Sequence, residues 1–234
     1  MAIAATQPAS SRSGAGQRPG SARSRAWALA GVLAGVCGLG SIVASTSIDA
    51  VYNEEVAGDA NAIMERLSDQ VPQLMVFGAL AVLTATLLVP FAAGLRRRLH
   101  DQAPAGSILP DVAFAGLLLT SVAGLLGSGL NTEFTVGLAT GDATYVPEVV
   151  VMFGHWIGTI PWLWLGAGIT GVAVAVAALR AAAAPRWIGW VSVILGGLTL
   201  IGGLSPLQYS AGFVGPVYVL VMALGFSLGD RAAA

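Results

Sequence analysis

The chain has 234 residues, of which 56% are hydrophobic and a further 31 are glycine. Only 10% are charged, against about 25% in soluble globular domains. With a mean hydropathy of +0.78, a domain of this size has too little interior to hide its apolar surface from water, so a soluble protein is excluded and an integral membrane protein is expected.

Residues 1–25 are rich in Ser, Gly, Ala and Arg, with nothing strongly apolar after Ile3, and read as a disordered tail. The apolar run that follows is too long for the core of a signal peptide and ends in Ser-Ile-Asp-Ala rather than a small-x-small site, so cleavage is not expected. Six apolar runs succeed one another, at residues 26–48, 74–95, 108–130, 149–179, 187–204 and 207–228. Each holds about the 20 residues that an α-helix needs to cross roughly 30 Å of hydrocarbon. The expected fold is all-α, a polytopic bundle of six transmembrane helices over residues 26–229, with a short C-terminus at 230–234.

Between the first two runs, Ala60, Ile63, Met64, Leu67 and Val71 recur on one face of a helix. Asp59 stands where an N-cap belongs, and Pro72 bounds the segment. The spacing predicts a short amphipathic helix in the first outer loop, apolar side down, as a cap on the bundle or a lid over a cavity. The second outer loop, residues 131–148, carries Gly137, Gly141 and Pro147 without periodicity and is expected to be irregular. Ser205 and Pro206 predict a tight turn joining the last two helices.

The net charge of −1 conceals a strong asymmetry. All 11 basic residues are arginine; Arg12, Arg18, Arg23, Arg25, Arg96, Arg97, Arg98, Arg180, Arg186 and Arg231 fall on one side of the six-helix pattern, leaving only Arg66 on the other. By the positive-inside rule both termini are cytoplasmic. The absence of lysine beside abundant Ala, Gly, Val and Arg matches the codon usage of a GC-rich bacterium, which places the chain in a bacterial plasma membrane.

In lipid, helices associate where small residues let backbones approach. Gly31, Gly35 and Gly38, then Gly116, Thr120, Gly124 and Ser128, then Gly189, Ser192, Gly196, Thr199 and Gly203 form such stripes. The last predicts a fifth helix that is central or engaged along a long seam. The stripes suit internal packing first, and also a homo-oligomer or another membrane protein. Pro161 and Pro216 interrupt the fourth and sixth runs and predict kinks.

Polar groups within the bilayer are costly and therefore informative. Asp111 follows Pro110 at the start of the third run, where a helix N-terminus accommodates a carboxylate. His155 shares a helical face with Glu148, Met152, Thr159 and Trp162. As one helix, residues 149–179 would extend about 46 Å, so Trp156, Trp162 and Trp164 read as an interfacial belt with His155 at headgroup level. Several chemistries are excluded. His100 and His155 lie on opposite sides and cannot pair on a haem. No lysine exists to hold retinal, and Cys37 has no partner for a disulfide. A zinc site of about three ligands would need His155 with Glu133 and Glu148 or Asp49. No metal, cofactor or nucleic-acid partner is expected.

The strings LVPFAAGLRRRL (88–99), GHWIGTIPWLW (154–164), PRWIGW (185–190) and SPLQY (205–209) resemble uncharacterised actinobacterial six-helix integral membrane proteins. That family has no assigned activity, so the resemblance implies the topology and nothing catalytic. The leading expectation is a non-enzymatic membrane protein acting through lipid or protein contacts. The alternative is a small transporter or binding protein with an outward-facing cavity lined by His155, Trp156, Tyr209, Asn131 and Glu133. A third is a lipid-modifying enzyme with His155 and an outer-loop carboxylate as acid and base.

Overall fold

The computed structural model describes residues 25–141 and 145–229, and their regular elements are all helical. Most of the tail, Asp142 and residues 230–234 lie outside the described residues. Five helices are long and apolar enough to cross a membrane: Ala26–Thr46 (α1), Val71–His100 (α3), Leu109–Thr140 (α4), Arg186–Leu204 and Gln208–Leu228. Around them Leu33, Val43, Leu83, Leu126, Ile201 and Leu228 point outward, an apolar girdle that suits lipid and no aqueous surface.

The first connection folds as its periodicity predicts. The carboxylate of Asp59 accepts the amides of Asn61 and Ala62 at 3.0 and 3.1 Å and starts α2 (Ala60–Asp69), which buries Ile63 and Leu67. The second connection does not. α4 runs on through the segment expected to be irregular and stops only at Gly141, whose φ of 65° suits a residue without Cβ. Its extra turns keep their polar groups at home. Thr132, Thr135 and Thr140 each donate their hydroxyl to the carbonyl four residues back. Phe134 stacks on Phe153 with centroids 4.5 Å apart, and Leu138 joins the same apolar cluster.

The fourth run is not one helix. It divides into α5 (Pro147–Trp156), a 3₁₀ turn over Ile157–Trp162, and α6 (Leu165–Arg180). Pro161 has no amide hydrogen to continue an α-helical ladder, and Thr159 donates its hydroxyl to the carbonyls of His155 and Trp156 instead. The break also dissolves the expected tryptophan belt. Trp164 is buried, its ring over the faces of Gly38 and Gly215, and only Trp156 of the three is fully exposed.

The break makes α6 the central element. It buries most of its sixteen residues, with α4 on one side and the fifth apolar helix on the other. That fifth helix comprises α7 (Arg186–Val191), a π turn at Ser192–Gly196 and α8 (Gly197–Leu204). It holds a long seam but is not central, since only 28% of its apolar window is buried. Both contacts on α6 are backbone on backbone. A Cβ on Gly166 would lie 2.2 Å from the Gly116 carbonyl oxygen, and one on Gly196 would lie 2.6 Å from the Gly171 Cα. Thr170 donates across the first crossing to the Ala113 carbonyl at 2.8 Å. The last helix carries α9 (Ala211–Leu224), whose Tyr218 is buried and donates to Ser192 Oγ at 3.1 Å.

The two ends differ in charge. At one end Arg25 donates to the Ser227 carbonyl, Arg98 to the Ala183 carbonyl, and Arg96 pairs with Asp111 at 2.6 Å. Asp111 is thus an exposed first-turn carboxylate beside an arginine. Every described arginine except Arg66 belongs to this end.

Candidate binding cavity

At the opposite end the bundle is not filled. α1 stops at Thr46 and α6 begins only at Leu165, and the turns between the elements around them enclose a cavity of about 440 Å³. Volumes of this size are typical of small-molecule sites. Its back wall is Leu67 of α2, Leu74 and Phe77 of α3, and Phe153 of α5, all buried. Trp162 and Phe213 form a side wall, their rings edge to face at 4.7 Å. The Trp162 indole donates to Ser45 Oγ at 3.1 Å, which fixes the ring against the end of α1.

The rim is polar and largely self-satisfied. Asp49 lies just before a 3₁₀ turn at Ala50–Tyr52. Its carboxylate receives Arg66 Nε at 3.1 Å and Arg66 Nη2 at 2.7 Å, with Gln70 Nε2 on the first oxygen and Asn53 Nδ2 on the second. Arg66 belongs to α2 and Gln70 to its C-cap, so this cluster ties the amphipathic helix to the cavity mouth. The hydrogen bonds from Arg66 and Gln70 hold the Asp49 carboxyl well below the usual carboxylate range, and raise Arg66 in return. Partial desolvation of its hydroxyl and, secondarily, Tyr209 across the mouth raise Tyr52.

A pH dependence follows from Asp49. A carboxyl depressed in the folded state contributes stability above its unfolded value and loses it only as pH falls through the lower folded value. The protection factors of the amides across residues 60–69 are therefore expected to hold from about pH 8 to about pH 4 and to fall, modestly for so screened a pair, only below. Loosening that begins near neutrality would mean that a titrating group other than Asp49 contributes to the docking of α2.

The residues singled out from the sequence do not converge as a set. Tyr209 lines the cavity. His155 stands exposed beside the rim, its ring edge-on to Tyr52 at 5.3 Å. Trp156 is 69% exposed and is not part of the lining. Asn131 and Glu133 lie in the extended part of α4, not in a loop. Asn131 is buried against α3, its Nδ2 3.4 Å from the Leu74 carbonyl and its Oδ1 without a partner. Glu133 faces outward. The split of the fourth run explains the dispersal, since it separates His155 from the helical face it was expected to share with Trp162. Asp49, Tyr52, Thr159, Trp162 and Phe213 take the places instead.

Among the described residues no group of three or more His, Cys, Asp or Glu side chains comes together as a metal site. The arrangement offers an apolar pocket with a hydroxyl-bearing rim. No protein family, curated protein or solved structure matches the chain.

Proposed function

We propose that this is a multi-pass plasma-membrane protein that binds a hydrophobic small molecule in the cavity beneath α2. The broken fourth run crosses the membrane with the five long helices, giving six crossings. Both termini, the tail of residues 1–25 and residues 230–234, lie with the arginines in the cytoplasm, as the positive-inside rule requires. The cavity then opens in the outer half of the membrane. The observation that carries the binding role is the cavity itself: about 440 Å³ walled by buried aliphatic and aromatic side chains. Binding there needs no catalytic residue. Tyr209 and the edge formed by His155 and Tyr52 serve as rim contacts, whereas Trp156 meets the membrane interface.

Native mass spectrometry of the protein released gently from its own membrane tests this. A reproducible added mass is expected, lost in Ile48→Trp, which fills the cavity, while helical content by circular dichroism is unchanged. The bare chain mass alone for the unaltered protein, or an added mass that Ile48→Trp retains, would overturn the binding role and return the chain to one that acts only through lipid or protein contacts.

A further inference from the structure

The walls of the cavity also define what enters it and from where. Thr46, Tyr209 and Phe213 line it and are exposed, Tyr209 by 42% and Phe213 by 54%. They bring the lining to the surface between the end of α1 and the start of α9, at a gap flanked by the Trp162 ring, which is held by Ser45 and packed on Phe213. Beside that gap lie Val43, Leu204 and Leu207, all strongly exposed, so the gap opens on the apolar girdle. Away from it the cavity ends at Leu67 of α2, Phe77 and Phe153, which are essentially inaccessible.

The polar groups of the cavity narrow the chemistry. Asp49 is saturated by Arg66, Gln70 and Asn53. The Ser45 hydroxyl accepts from Trp162, and Thr159 donates to its own helix. Nothing in the interior calls for a charged or strongly polar ligand, and an unpaired polar group taken there would be costly. Tyr52 and Tyr209, both at the mouth, are left to donate to an oxygen atom outside.

We infer that the cavity holds one long alkyl chain of a membrane lipid, which enters sideways from the bilayer between α1 and α9 and leaves its oxygen-bearing headgroup at Tyr52 and Tyr209. The inference rests on the binding role proposed above. It adds a ligand class, a route and an orientation.

Photolabelling of the full chain in nanodiscs tests it. One arm uses phosphatidylcholine with a diazirine in one acyl chain, the other a free diazirine hexadecanoic acid. Adducts are expected in peptides containing residues 153–162 and 209–213, above the level on the outward faces of α3 and α4. Thr46→Trp, which blocks the gap, should reduce them several-fold, Phe213→Ala, which widens it, should increase them, and Glu133→Gln should leave them unchanged. Labelling by phosphatidylcholine identifies a bilayer lipid as the source, and labelling by the acid alone identifies a free fatty acid; either carries the alkyl chain. Adducts confined to the outer girdle and indifferent to Thr46→Trp and Phe213→Ala would overturn the inference. If native mass spectrometry then still shows a bound molecule lost in Ile48→Trp, the cavity binds something other than a chain from the lipid. If it shows none, the binding role falls as well.

Discussion

Gly196→Leu is expected to lower the thermal midpoint of the detergent-solubilised protein steeply, whereas Gly197→Leu, one residue along the same helix, is expected to leave it nearly unchanged. A Cβ on Gly196 would sit 2.6 Å from the Cα of Gly171, while one on Gly197 would meet no atom within 4 Å. The obstacle at Gly196 is backbone, which cannot rotate aside as a side chain can. The fifth helix must then move off α6, and the seam through Ser192 and Thr199, both buried, opens with it. Overpacking of a dense core costs about 1–3 kcal/mol and occasionally more; the backbone contact places this variant at the upper end, a fall on the order of 10 °C. In lipid no hydrophobic force between helices offsets the loss, since the chains compete for the same apolar surface. Equal midpoints for the two variants would contradict the close crossing of α6 and the fifth helix.

That seam was legible in the sequence, and the reason is physical. Small residues at three- and four-residue steps have no better use in a helix interior than close packing, so Gly189, Ser192, Gly196, Thr199 and Gly203 announce a contact face. Which helix stands at the centre is a different matter, because a stripe marks one face and says nothing of the others. α6 was hidden inside a run that composition alone joins to α5, and its burial depends on where Pro161 and the preceding turn stop the helix. Hydropathy cannot see that stop: Ile157, Ile160 and Trp162 are as apolar in a 3₁₀ turn as in a helix.

The cavity was legible only at its edges. Tyr209 and the neighbourhood of His155 are rim residues, and Asp59 with the spacing of Ile63 and Leu67 gave the amphipathic helix. Asp49 and Arg66 are 17 residues apart, and no local pattern links them. Trp162 reads as part of a belt because aromatic residues near a helix end usually sit at the interface; the break instead turns its ring against Phe213. Asn131 and Glu133 were placed in a loop because Gly137 and Gly141 suggest one, yet Phe134 and Leu138, one turn apart, already mark the apolar face that holds this part of α4 to α5.

Leu67→Ala is expected to release α2 from the bundle without unfolding the bundle. A ten-residue helix is not stable alone in water, so α2 exists only because it docks. Its docking has two parts. Ile63 and Leu67 are the buried side chains of α2, and Arg66 with Gln70 reaches Asp49. The ion pair is partly exposed on both partners, so solvent screens its attraction and it adds little beside the apolar contact. Leu67 is fully buried among Ala50, Leu74, Val150 and Phe153, and truncating such a leucine costs about 2–5 kcal/mol. A loss of that size exceeds what Ile63 and an exposed pair can hold, but it falls on one short element at the surface of a large helical core. Hydrogen–deuterium exchange should accordingly rise to loop-like rates across residues 60–69 and remain unchanged in α3 and α4. Because Leu67 is also part of the cavity wall, the same variant should exchange any bound molecule faster. Protection retained across 60–69 would mean that α2 is anchored by contacts other than its apolar face, and that wall of the cavity would then be fixed rather than movable.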